Sequence, residues 1–349
     1  MLDSNFTVLR NEQEESVMLR WIAHSFTLVL GVTSLASAQG LSDEQDPAQP
    51  LPPNPSKAVR ANKPKPSGFL LRYHFQVNQV VTYEVTHETK IMLTKGEFST
   101  TDRNSSFTRK HFAVISVDEN GTAILEPMID SVKMSAQFGS QPAIEYDSQK
   151  NNKPPRGFAG VAKTIGKPLV RLKFSANGEL IAAIPLLSRK VQSRVVKNNG
   201  PAKPSNDPNK NFLIVFPKKP VQVGESWSDR KLSATLRVMQ GRLPLYREYP
   251  ILRTYKLDSV KGNLATISLT SASLKPISDP KLEAQIIQRL PSGTIVFDLK
   301  RGLIVSRTLK TDRKVIGLIS AQSRLHVISN RVEKMIPNKL ASKNESTAN

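Results

Sequence analysis

Four histidines lie beyond residue 38: His74, His87, His111 and His326. Imidazole is the side chain best suited to bind a metal or move a proton near neutral pH, so their spacing decides what chemistry to expect. No His-x-His, His-Glu-x-x-His or clustered carboxylate accompanies them. His87 shares the apolar phase of residues 81–93, and His111 that of Ala113, Ile115 and Val117. Each therefore reads as a core or strand-edge histidine, with a pH-sensitive pair inside a cavity as the sharper alternative. There is no Gly-x-Ser-x-Gly elbow. Ser226, in Gly224-Glu225-Ser226-Trp227, reads as the turn into a strand over 228–238, with Trp227 as a packing anchor. Glu283, Asp298 and Asp312 are scattered and form no recognisable acid–base pair. No glycine-rich phosphate loop occurs. The chain contains no cysteine, which excludes disulfides, thiolate metal sites and thiol catalysis. No catalytic residue, metal-ligand set or cofactor is expected, and the chain reads as a non-enzyme.

Charge is the next constraint. Lys and Arg number 50 against 29 Asp and Glu. Residues 1–38 hold two of the basic and four of the acidic residues, so the remainder carries 48 against 25, a formal +23. A surplus of this size raises a positive potential and favours anionic partners, such as wall polymers or lipid headgroups. Two groups of basic residues lie on strand-like segments, and Arg253, Arg307 and Arg313 are the candidates for contact with an anionic surface. A solvated face with scattered charge is the plainer alternative. Aromatic residues make up only 6% of the chain, too few for a base-stacking surface, so nucleic acid is not an expected partner.

The elements that must position these residues follow a period of two. Val81, Tyr83, Val85, His87, Ile91 and Leu93 fall on one face, and Thr82, Glu84, Thr86, Glu88 and Lys90 on the other, the pattern of a half-buried strand. Tyr73, Phe75 and Val77 alternate in the same way. Hairpin turns are signalled at Asn120-Gly121, between 112–117 and 122–129, and at Asn177-Gly178, between 169–174 and 179–184. Gly262-Asn263 and Lys300-Arg301-Gly302 separate two further strand pairs, 251–260 from 264–274 and 294–299 from 303–309. Helix signals are few: a basic amphipathic stretch over 185–196 with Pro185 in its first turn, a stretch opened by Asp279-Pro280 and ended by Pro291, and a weaker one over 158–165. The expected fold is mainly β: a large curved antiparallel sheet with two or three short helices, as one open barrel or two packed half-barrels.

Along the chain, residues 18–38 have a basic start, an apolar middle and an Ala-Ser-Ala exit, the layout of a secretory signal peptide. Residues 1–17 carry Glu12, Glu14 and Glu15 where a signal would be cationic, and read as upstream of the true start at Met18. A retained anchor is the rival reading of 18–38, but the apolar run is short for a hydrocarbon core of about 30 Å. With the signal cleaved, no stable transmembrane span remains. The protein is expected to be exported, to the periplasm or beyond. Residues 39–67 are a Pro-rich spacer that cannot bury enough apolar surface to fold. Residues 68–336 form the β-rich domain, in halves 68–197 and 211–336 joined by a loop at 198–210, and 337–349 form a polar tail.

Several motifs carry a resemblance. They are Leu71-Arg72-Tyr73-His74-Phe75, Val81-Thr82-Tyr83-Glu84-Val85, Gly166-Lys167-Pro168-Leu169 and Ser175-Ala176-Asn177-Gly178-Glu179-Leu180, followed by Pro220 to Trp227 and Phe297 to Ile304. In this order, over 68–331, the chain resembles an uncharacterised family of secreted bacterial proteins, common in planctomycetes, known only as a domain of unknown function. The resemblance implies fold and export and supplies no catalytic residue. More remotely, the pattern is similar to half-barrel lipoprotein carriers. The function expected is that of an exported binding or scaffold protein holding an apolar or anionic envelope ligand. A structural envelope component working through sheet edges and an enzyme of unrecognised type are the alternatives. Tyr83, His87, Ile91, Trp227 and Tyr255 are the candidate lining of a ligand cavity.

Overall fold

The computed structural model describes residues 68–150, 153–186, 212–240 and 243–337. The segments read as an upstream start, a signal peptide, a spacer and the 198–210 loop lie outside the described residues, as does nearly all of the tail.

The chain folds as expected into one antiparallel sheet of 12 strands that does not close into a barrel. The strands are β1 (Val80–Lys95), β2 (Phe98–Val117), β3 (Ala123–Gln137), β4 (Ile144–Asp147), β5 (Val170–Phe174) and β6 (Leu180–Pro185), then β7 (Ser226–Gln240), β8 (Leu243–Lys261), β9 (Leu264–Ser273), β10 (Ser292–Asp298), β11 (Leu303–Ile316) and β12 (Arg324–Ile336). Their spatial order is β6-β5-β3-β2-β1-β12-β11-β10-β9-β8-β7, with β4 beside β3. Two meanders are thus fused at the middle, where the first strand pairs with the last from Thr82↔Ile336 to Thr94↔Arg324. The two helices are short: α1 (Ala159–Ala162) and α2 (Pro280–Ile286).

Period-two patterning explains the strands. Burial alternates along β1, with Val81, Tyr83, Val85, Thr89, Ile91 and Leu93 inward. All four turn signals fall between paired strands, β2–β3, β5–β6, β8–β9 and β10–β11. At α2 the Asp279 carboxylate accepts from Lys281 N at 2.8 Å, with Pro280 at the first helical position. The 158–165 signal becomes α1 and the 3-10 turn before it.

Two expectations need correction. Pro185 does not open a helix; it is the last residue of β6, paired with Val170, and 187–196 lie outside the described residues. The alternating stretch 71–77 is not a strand. It crosses the inner face of the sheet, with Tyr73 N donating to Ala176 O (2.8 Å) and His74 N to Gly302 O (3.3 Å). Its alternation has the strand period because one side faces the core, yet its donors go to turn carbonyls instead of a ladder.

This crossing segment and a second one, 212–216, hold the core. Tyr73 stacks on Phe75 and meets Phe216 and Phe297. The Tyr73 hydroxyl donates to Ile214 O and accepts from Ile214 N. One apolar cluster gathers Leu172 and Phe174 of β5 with Leu257 of β8, strands eight places apart in the sheet. Flat, that separation would be roughly 40 Å; the sheet therefore curls around the two segments. α2 and the 3-10 turn that follows it cover the far end of the inner face, packing Ala284 and Ile287 on Ile91, Leu93 and Val327. α1 and Phe158 cover the flank at Val132, Ala136 and Tyr146.

Gly178, at φ +86°, sits where the β5–β6 turn meets both segments: a Cβ there would lie 2.2 Å from Ile214 O and 2.6 Å from the Tyr73 ring. Gly262, at φ +57° in the β8–β9 turn, has nothing within 4 Å of its Cβ position. Gly262→Ala is expected to lower stability by about 1–2 kcal/mol, the cost of the left-handed backbone alone. Gly178→Ala should cost on the order of 3–5 kcal/mol, the range of a core overpacked against backbone. Urea denaturation of the two variants measures the difference; equal losses would refute the packing account.

Candidate functional site

Strand register aligns the inward side chains into rows across the sheet. One row runs Trp227, Tyr255, Leu269, Gly293, Leu309, Arg331, His87, Ser106 and Met134. The row above it holds Asp229, Arg253 and Ser271 on one arm and Thr311, Ser329, Thr89 and Asn104 on the other. The row below places Arg307, Glu333, Val85 and Thr108 side by side. A polar belt therefore crosses the inner face between two apolar layers, the crossing segments below and α2 above. It continues on β8, where Arg253 separates Ile251 of the upper layer from Tyr255 of the lower.

The belt is densest at the β1–β12 junction. Lys110 Nζ lies 2.8 Å from Glu333 Oε1, and Arg307 and Arg331 each place a nitrogen 3.9 Å from Glu333 Oε2. Side-chain exposures are 7% for Glu333, 13% for Arg307, 23% for Lys110 and 28% for Arg331, so the cluster is inside but reaches solvent. Burial would raise the Glu333 pKa, but Lys110, Arg307 and Arg331 outweigh it and hold the carboxyl well below the usual carboxylate range. Burial pulls the Lys110 ammonium down, opposed by Glu333. Three cations thus face one carboxylate.

His87 borders this cluster, opposite Arg331 in the ladder. Its Nε2 is 2.9 Å from Ser329 Oγ and 3.3 Å from Thr89 Oγ1. Burial, and then the Arg331 charge, push its pKa down to about 4, so it is neutral at physiological pH.

The five candidate cavity residues all face inward, in different roles. Tyr83 is buried and donates its hydroxyl to Ile304 O at 2.9 Å. Ile91 belongs to the layer under α2. Trp227 stacks on Tyr255 (5.5 Å, 17°) and donates its indole N–H to Val215 O at 3.0 Å. Of the five, two border the charge cluster: His87 on the belt, and Tyr83, whose ring lies 5.9 Å from Lys110 Nζ; Trp227 and Tyr255 are on the row of His87 but on the far arm. The three arginines read as an outer contact face stand instead in the inner phase of their strands: Arg307 and Arg253 are on the belt, and Arg313, paired with Val327, is exposed. The two histidines read from the sequence as sharing an apolar phase do not pair: His87 faces inward, whereas His111 lies opposite Thr82 in the outer phase and bonds Asp130 at 2.6 Å. Lys110, Arg331 and Glu333 were not anticipated. Their signal is phase: Val327, Ser329, Arg331, Glu333 and Met335 alternate together, so two charges stand at positions that strand periodicity assigns to the interior.

Space beside the cluster is small. The cavity among Tyr73, Tyr83, Lys110, Phe212, Arg307 and Glu333 has a volume of about 20 Å³, room for one water. A recess of about 420 Å³ opens among Lys90, Arg103, Ser135, Gln137 and Asn330. Among the described residues no three His, Asp or Glu side chains gather as a metal site, and no helix is long and apolar enough to cross a membrane.

Two outcomes follow from the cluster. The folded chain protonates His87 near pH 4, whereas an unfolded histidine does so near 6.5. Between these values the unfolded state binds more protons, so stability rises with pH. Stability should fall by up to about 3 kcal/mol as pH drops from about 6.5 to about 4, and His87→Gln should flatten that limb in urea melts taken across the range. Glu333→Gln, which strands three cations, should cost about 3–5 kcal/mol at pH 7; a loss under about 1 kcal/mol, the scale of a surface pair, would show that the carboxylate does not hold the cluster together.

The chain matches no protein-family model and no curated protein. Among solved structures it is similar to DynF from the dynemicin biosynthesis pathway of Micromonospora chersina, at 6% identity and a TM-score of 0.19, over 79% of this chain and 92% of that one. It is also similar to a DUF1329 family protein from Desulfovibrio piger, at 9% identity and a TM-score of 0.14, over 72% of this chain and 83% of that one. At these scores neither likeness carries an argument about fold or function.

Proposed function

We propose that this chain is an exported, non-enzymatic binding protein of the cell envelope that seats its ligand on the polar belt of the inner face. One observation carries the reading: a row of charged and hydroxyl side chains runs through a surface that a sheet of this kind would otherwise fill with apolar residues. Interiors admit charged groups only where they are paired or used. The belt is accessible at Arg331 and Lys110, which gives a ligand an approach.

The geometry favours an anionic ligand over an apolar one. The crossing segments occupy the lower apolar layer, and the cavity of about 20 Å³ is more than tenfold below the volume that drug-sized ligands fill. An acyl chain would have to displace Phe212 and its neighbours. A role through sheet edges has less support. β6 is a six-residue edge, and at the other edge the Gln285 side chain of α2 pairs with the backbone of Arg237, accepting from its N–H (2.9 Å) and donating to its carbonyl (3.0 Å).

Native mass spectrometry of protein purified from its own envelope is the test. The expected result is a bound anionic mass, with hydrogen-exchange protection over 85–91 and 327–333 when it is present. Protein with no adduct, and no binding to anionic liposomes or wall fragments, would overturn the proposal.

A further inference from the structure

A second place on the molecule, independent of the belt, combines a recess with unused polar groups. It lies on the outer face, where Glu88 and Lys90 occupy the phase of β1 opposite to Thr89 and Ile91. Register sets two outer rows side by side. One runs Asn330, Glu88, Ser105 and Ser135; the next runs Ile328, Lys90, Arg103 and Gln137. These residues line the recess of about 420 Å³, and Ala143, on the loop between β3 and β4, stands at one rim. The volume falls within the range of small-molecule sites. Lys90 and Arg103 are direct cross-strand partners, an arrangement of like charges that weakens a sheet. Lys90 has no ion pair among the described residues, and Arg103 makes only a long contact, Nη1 to Gln137 Oε1 at 3.5 Å. In the adjoining row the Asn330 amide oxygen is buried without a hydrogen-bond partner, a state few native groups occupy.

We propose that this outer recess binds a sugar acid, its carboxylate on Lys90 and Arg103 and its hydroxyls on the row of Glu88, Ser105, Ser135 and Asn330. A guanidinium takes a carboxylate through two oxygens at once, and an ammonium beside it adds a point charge. A bound carboxylate also removes the repulsion between the two cations. The adjoining row suits hydroxyls: serine and asparagine both donate and accept, and the Glu88 carboxylate accepts. Glu88 sets the charge of the ligand as well, because two cations and one carboxylate leave room for a single negative charge. An α-amino acid bears both of its charges on one carbon, whereas Glu88 and Lys90 stand roughly 7 Å apart along β1; a sugar ring bridges that distance between its carboxylate and its far hydroxyls. The same chemistry is offered by a free sugar acid and by one residue of an acidic polysaccharide.

The test is a titration of the full chain with D-galacturonate, D-galactose and acetate at constant ionic strength, followed by NMR shifts. Galacturonate is expected to saturate with a Kd on the order of 1 mM, the level that the size of such a solute allows. Galactose, which lacks the carboxylate, and acetate, which lacks the hydroxyls, should each bind about tenfold more weakly or worse. Loss of one charge-assisted contact is worth about tenfold or more, so Arg103→Gln should weaken galacturonate by that factor. Arg109→Gln, an exposed arginine on the same face of β2 and outside the recess, should weaken it by under about twofold. Arg103→Gln should also melt no lower than the parent in sugar-free buffer, because it relieves the repulsion with Lys90; this separates lost binding from lost folding. Ser135→Ala should weaken galacturonate and leave acetate unchanged. Trigalacturonate distinguishes the source: equal affinity assigns a free sugar acid, and a gain of tenfold or more assigns an acidic polysaccharide, both supporting the site. No saturable binding of galacturonate, acetate or galactose binding as well as galacturonate, or equal weakening by Arg103→Gln and Arg109→Gln would each overturn the proposal, and each would leave the belt reading untouched.

Discussion

Everything the inner face presents depends on the pairing of β1 with β12. Thirteen residue pairs join strands some 240 positions apart in sequence. Among the described residues they are the only ladder between the two meanders, and they carry the charged row as well as the connection. Val85 is set beside Glu333, His87 beside Arg331 and Thr89 beside Ser329 by register alone. A slip of one residue would turn the charged set to the outer face and bring the outer set in. The apolar residues that bracket the belt, Ile91 with Val327 above and Val81 with Tyr83 below, pin the register by requiring burial at both ends.

The belt has a cost, and the fold is arranged to bear it. Buried ion clusters seldom stabilise a protein relative to a well-packed apolar core. Here the apolar driving force is supplied on both sides of the polar row. Tyr73, Phe216 and Phe297 form an aromatic cluster below, and α2 seals the layer above. The crossing segments explain how an open sheet can be filled without a second sheet. Each takes its hydrogen bonds from turns, side chains and the other segment, as in Phe216 N to Asn177 O (2.8 Å) and Trp227 Nε1 to Val215 O (3.0 Å). Loop backbone can lie inside the molecule because its polar groups are satisfied there.

Much of the fold was legible in the sequence, for local reasons. Strand period and Asn-Gly turns are short-range signals, and both β2–β3 and β5–β6 follow them closely. Segment 71–77 was not legible as a crossing element: its alternation reports one buried side, and only the partner of each N–H separates a strand from a strap. Pro185 illustrates the same gap, since an edge strand tolerates proline as readily as a helix start does. The site was legible in part. His87 stood out because an imidazole in an apolar phase is unusual. Arg307 and Arg253 were placed outside because basic residues normally face water, a rule that fails where several strands contribute charges to one inner row. Lys110 and Glu333 are more than 220 positions apart, and no single-strand pattern could join them.

β12, the last of the described strands in chain order, stands at the centre of the sheet between β1 and β11, so the joining of the two meanders waits on it. A chain that ends before Arg324 does not lose a margin; it is divided into a piece built on β1 to β6 and another built on β7 to β11, each with a bare flank where β12 belongs. Chains lacking β12 would therefore show long unpaired edges on β1 and β11 and be open to degradation, whereas β12 covers both. Delivery of β12 and assembly of the charged row are therefore one event, since Arg331 and Glu333 arrive on the strand that joins the two meanders.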